Sequence, residues 1–74
     1  MRHELKDIGR QCRQLRESLG LLQSDVAADL NVSRETISAF ETGRNDSGYL
    51  LSWYVVHGLE LDPVVSRKWR YKNG

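Results

Sequence analysis

Disulfide chemistry is the first thing missing. The 74 residues include one cysteine, Cys12, so no internal cross-link can form and nothing points to an oxidising compartment. No apolar run approaches the length of about 20 residues that a membrane-crossing helix needs. The opening stretch, MRHELKD, has no apolar region of the kind a secretory leader carries, so the expected location is the cytoplasm. Cys12, His3 and His57 do not sit at metal-ligand spacings, and no nucleophile–base pair or phosphate-binding glycine loop is present. Metal sites, cofactors and an enzymatic role are therefore not expected. Internal repeats, low-complexity segments and linkers are also lacking, which leaves one domain spanning 1–74.

Charge of either sign is nearly absent as a net quantity, at +1. Its distribution is uneven. From Pro63 onward the chain carries Arg67, Lys68, Arg70 and Lys72 and no acid, whereas the remainder has seven basic against ten acidic residues, a net of −3. The segment from about Arg67 reads as a basic, fraying end. A nucleic-acid binder with an acidic body must concentrate its positive charge on one face, because neutralised phosphates supply most non-specific affinity.

What is present is helical periodicity. A hydrophobic fraction of 39% is enough for a small bundle, and domains of about 55 to 65 residues do fold alone. Leu5, Ile8, Cys12, Leu15 and Leu19 form one stripe of a first helix over about Glu4 to Ser18, with Gly20 at its left-handed stop. Cys12 on that stripe is a small buried apolar residue, and Arg10 and Arg13 lie off it, free to solvate the face or to meet phosphate. Val26, Ala27 and Leu30 define a second helix, Gln23 to Leu30, ended by Asn31. Leu22, just before it, has no acceptor with which to cap it; Asp25 in the first turn compensates in part. Ser33 is a good cap for a third helix that buries Ile37 and Phe40 and stops near Thr42-Gly43. Val32 plugs the angle between the two. Asp46 is a candidate cap for a fourth helix, about Ser47 to His57, which is apolar nearly all round. There Leu51, Tyr54 and Val55 suit the core, while Leu50, Trp53 and Val56 fall on another side. Leu59 and Leu61 pin the following bend. Asp62-Pro63 then starts a fifth short helix containing Val64, Val65 and Trp69.

Two helices joined this tightly make a helix-turn-helix. With Ile37, Phe40 and Val32 turned inward, Arg34, Glu35, Ser38 and Ala39 point outward, on a helix of a width that enters the major groove of duplex DNA. The stretch resembles the helix-turn-helix of the phage Cro and repressor family, also called the XRE family. The matching pieces are Gln23, Ala27, Asn31-Val32-Ser33, Thr36-Ile37-Ser38 and Glu41-Thr42-Gly43-Arg44, with Ile8, Leu15-Arg16 and Leu19-Gly20-Leu21 upstream. The resemblance covers roughly Leu5 to Leu61.

That resemblance implies an all-α, lambda-repressor-like bundle of five short helices. It implies a sequence-specific transcriptional regulator that binds double-stranded DNA, with base contacts from Arg34, Glu35, Ser38 and Ala39. Phosphate contacts would come from Gln23, Ser33, Thr42, Arg44 and Asn45. It also implies a structural ion pair between Arg16 and Glu41. A homodimer would read two half-sites, and the surplus apolar surface of Leu50, Trp53, Val56, Val64 and Trp69 is its expected interface. The alternative is a protein-interaction module on the same scaffold, of the anti-repressor or antitoxin kind, presenting the apolar face of the fourth helix. The acidic body and the uncapped Leu22 favour that alternative; Arg34, Arg44 and Gln23 favour DNA.

Overall fold

The computed structural model describes residues 2–60. Its elements are α1 (Arg2–Ser18), α2 (Gln23–Leu30), α3 (Arg34–Glu41) and α4 (Gly48–Val56), and there is no strand among the described residues. The architecture is all-α. The fifth helix expected from Asp62, with Val64, Val65 and Trp69, and the basic end lie outside the described residues, as does Leu61.

The core is assembled from one stripe of each helix. Ile8 and Cys12 of α1 meet Val26, Ala27 and Leu30 of α2, Ile37 and Phe40 of α3, and Leu50, Leu51, Trp53 and Tyr54 of α4. Phe40 and Tyr54 stack with ring centroids 5.5 Å apart, and Trp53 meets the edge of Tyr54 at 5.1 Å. Burial of the Cys12 thiol, with a smaller contribution from the nearby charge of Glu41, pushes its pKa up to about 12. At neutral pH it is a protonated core residue, not a nucleophile.

All four helices end the same way. The residue in the left-handed position is Gly20, Asn31, Gly43 or Gly58, with Asn31 at φ 58°. In each case the next amide reaches back to a carbonyl five residues earlier: Leu21 to Arg16, Val32 to Ala27, Arg44 to Ala39 and Leu59 to Tyr54. This closing pair satisfies carbonyls that a helix end would otherwise leave open. Asn31 is the one non-glycine among them, a residue type that tolerates this conformation. Leu21, Val32 and Leu59 then fold against the core. Leu19, expected on the buried stripe, is exposed instead. It sits at the start of the turn at Gly20, and Leu21 takes the inward place.

Two further expectations change. Ser47, not Asp46, caps α4, its hydroxyl accepting from the Leu50 amide at 3.4 Å. Leu50 and Trp53, expected at a subunit contact, are buried within the subunit. Trp53 is drawn in because its indole N–H reaches the Asp29 carboxylate of α2 at 2.8 Å. The exposed apolar positions of α4 are Tyr49, Val55 and Val56, and Val55, expected in the core, is among them. Tyr49 also ties α4 to α2, donating to the Leu30 carbonyl at 3.0 Å.

The start of α2 is capped on one side only. Asp25 accepts from the Leu22 amide at 2.7 Å, but the leucine side chain has no oxygen to return to the helix. Because Leu22 is exposed, Leu22→Ser adds an acceptor and removes no packing. It is expected to raise stability by about 1 kcal/mol. The check is the urea midpoint, and an unchanged or lower midpoint would refute the one-sided cap.

Candidate nucleic-acid interface

The outward face of α3 follows from its inward one. Ile37 and Phe40 are buried, which fixes the helix about its axis. Ser33 holds the N-terminus, its hydroxyl accepting from the Thr36 amide at 3.1 Å and lying 2.8 Å from the Thr36 hydroxyl. Arg34 and Glu35 therefore project into solvent at the start of the helix, with side chains 58% and 78% exposed. Ser38 and Ala39 lie half-buried one turn further along the chain. Arg34 and Glu35 thus occupy the N-terminal end of α3, the end that a helix docked in the major groove would turn to the bases. Their charged groups lie 3.7 Å apart, a solvated pair that costs little to separate.

Behind this face a buried polar cluster ties the bundle together. The Glu41 carboxylate accepts from Arg16 Nε at 2.8 Å and Arg16 Nη2 at 3.0 Å, in a two-pronged pair whose side chains are 7% and 1% exposed. It also accepts from the Tyr54 hydroxyl at 2.8 Å and from Gln23 Nε2 at 3.2 Å. Arg16 Nη1 donates to the Leu21 carbonyl at 2.8 Å. One carboxylate thus receives donors from α1, α2 and α4 while belonging to α3. Hydrogen bonding to Glu41 raises the Arg16 pKa further, against the opposing effect of burial. Burial, and then the bond to Glu41, push Tyr54 above the usual phenol value. At any working pH Arg16 stays charged and Tyr54 stays a donor.

Gln23 connects that cluster to the surface. With its amide nitrogen committed to Glu41, its carbonyl oxygen faces outward and accepts from Arg34 Nη1 at 3.4 Å. The structure thus brings together Gln23, Ser33 and Arg34 at the entrance to α3. At the exit it brings together Thr42, Arg44 and Asn45. Thr42 is a correction. Its hydroxyl proton goes to the Ser38 and Ala39 carbonyls, its amide goes to Ser38, and its oxygen accepts from Arg44 Nε at 3.2 Å. It has no donor left for a phosphate and instead positions Arg44. Asn45 uses its side-chain oxygen to accept from the Ser47 amide, which leaves its amide nitrogen. Arg10 pairs with Asp7, and Arg13 with Glu17, both on the exposed side of α1.

A family model described as a helix-turn-helix domain matches residues 7–59. The chain belongs to that family. No curated protein and no solved structure gives a significant match. The matched span of the helix-turn-helix domain takes in α2, the Asn31 turn and α3, together with the α1 and α4 residues that hold Glu41. Among the described residues no cluster of His, Cys, Asp and Glu could hold a metal ion, and no helix is long and apolar enough to cross a membrane.

Three participants escaped the sequence reading. Gly9 is buried where α1 crosses the end of α3, and a Cβ there would fall 2.5 Å from the Glu41 carbonyl oxygen. A glycine inside an otherwise helical pattern was the signal. Tyr54 as a donor to Glu41 had no signal beyond its buried position. Lys6, which lies over Gly43, had none, because a lone lysine on a first helix looks like any solvated charge.

Proposed function

We propose that the protein is a sequence-specific DNA-binding transcriptional regulator of the Cro/repressor type, reading an operator through the major groove as a homodimer. The observation that carries this reading is the face of α3: burial of Ile37 and Phe40 leaves Arg34 and Glu35 exposed at the helix N-terminus, with Ser38 behind them. Arg34 is the base reader, since a guanidinium donates two parallel hydrogen bonds to guanine. Glu35 accepts from cytosine or repels other bases, and Ala39 offers a methyl. Ser33, Arg44 and Asn45 meet the backbone on either side, and Gln23, expected there too, instead turns its carbonyl oxygen to Arg34 and helps to position it. Two subunits spaced about 34 Å apart along the duplex would supply the contact area that one short helix lacks. Val56, 80% exposed, remains available for that contact.

Selection from a random duplex library tests the proposal. A two-fold-symmetric motif is expected, and its absence would refute operator reading. Arg34→Ala should then lose about 1–3 kcal/mol at one base position and relax preference there alone. Unchanged preference would remove Arg34 from the reading set. The second reading, a protein-interaction module, draws on the exposed Tyr49, Val55 and Val56 and on the acidic body. Titrating salt separates the two, because binding to random duplex must weaken steeply as salt rises if phosphates are the ligand.

A further inference from the structure

At three of the four helix ends, the residue after the left-handed position is apolar and packs on the core: Leu21, Val32 and Leu59. At the end of α3 that position holds Arg44, exposed and with its Nε bonded to Thr42. The turn before it lies directly on α1. A Cβ on Gly43 would sit 2.9 Å from the Lys6 backbone nitrogen, 2.9 Å from its Cγ and 3.0 Å from its Cα. Lys6 and Arg44 therefore approach one glycine from two elements. The other cations with described side chains are paired: Arg10 with Asp7, Arg13 with Glu17, Arg16 with Glu41 and, loosely, Arg34 with Glu35. Among the described residues, Lys6 and Arg44 have no carboxylate within ion-pair distance. Among the described side chains, the positive charge without an ion pair therefore lies at the exit of the reading helix.

We propose that Lys6 and Arg44 form a two-cation clasp on one stretch of DNA backbone flanking the groove that α3 enters, with Lys6 the contact supplied by α1. This rests on the DNA-binding reading and adds a residue to it. Cations beside the carboxyl end of α3 also suit the helix dipole, but that role acts on folding stability and not on the salt dependence of binding. The clasp holds phosphates only, so it contributes affinity at every sequence and preference at none.

The test is the slope of log binding constant against log salt, for random duplex and for the selected operator. Lys6→Gln keeps the stem over Gly43 and removes the charge. It is expected to weaken both duplexes alike and to reduce the slope by about 1 per subunit. Arg44→Gln should do the same, Lys6→Arg should retain the parent slope, and Arg10→Gln, on the same helix, should change nothing. Melting temperatures are recorded alongside. A parent slope in Lys6→Gln overturns the clasp while leaving DNA binding intact. A change of sequence preference also overturns it, as does a lost slope that accompanies unfolding and is not rescued by Lys6→Arg. A parent protein with no salt-dependent affinity for any duplex overturns both this proposal and the function on which it rests.

Discussion

Glu41→Ala is expected to cost about 3–5 kcal/mol of folding stability, the range for removing one partner of a buried ion pair. The cause is what stays behind. Arg16 keeps its charge, its side chain is 7% exposed, and the Leu21 carbonyl becomes its one remaining acceptor in the cluster. The Tyr54 hydroxyl and the Gln23 amide lose their acceptor as well. Because small domains have a total stability near the low end of about 5–15 kcal/mol, the variant should be largely unfolded. Urea titration followed by tryptophan fluorescence is suitable, with Trp53 in the core as reporter. Arg16→Met combined with Glu41→Leu should be markedly more stable than Glu41→Ala, since it removes both charges and fills the space. A loss below about 1 kcal/mol for Glu41→Ala would be the value of a solvated pair, and it would refute the buried cluster.

Gly9→Ala is expected to destabilise, although alanine is the better helix former. Propensity favours alanine by about 1 kcal/mol in a helix interior. Against this stands a Cβ 2.5 Å from the Glu41 carbonyl oxygen, 2.7 Å from its carbon and 2.8 Å from the Phe40 carbonyl oxygen. All three are backbone atoms at the end of α3, so no flexible side chain can yield. Separating α1 from α3 would also stretch the Arg16–Glu41 pair close by. Overpacking of this kind costs about 1–3 kcal/mol, and the backbone contact places it at the upper end or beyond. The expected net loss is about 2 kcal/mol, a fall of roughly 8–16 °C in melting temperature for a domain of this size. A variant that melts higher than its parent would mean that the helices do not cross this closely.

The helix ends and the outward face of α3 are legible in the sequence because each rests on local chemistry. Gly20 and Asn31 mark stops, Ser33 marks a start, and Ile37 with Phe40 sets the rotation of α3. The Arg16–Glu41 contact spans 25 residues and came from resemblance, not from periodicity. The face of α4 was not legible. Where nearly every residue is apolar, the pattern carries no phase, and it does not show that Leu50 and Trp53 turn inward and Val55 outward. Their placement depends on tertiary partners such as Asp29 for Trp53, which no local pattern reveals. The bonding of Thr42 is hidden for a related reason: a hydroxyl just past a helix looks like a free donor until the carbonyls of its own helix take the proton. Gly9 and Lys6 take their meaning from approaches between α1 and the end of α3, distant in sequence and adjacent in space.

The junction at Glu41 also has a bearing on how the molecule comes apart. Glu41 of α3 holds groups from the other three helices, so parting α1 from α3 strands an ion in a dry interior, while lifting α2 or α4 away takes a neutral donor from the same carboxylate. Opening between α1 and α3 is therefore penalised heavily, and α3, which carries Arg34, is held at its far end by that pair. If α3 enters DNA as proposed, it does so already held in place, with little ordering left to be done on contact.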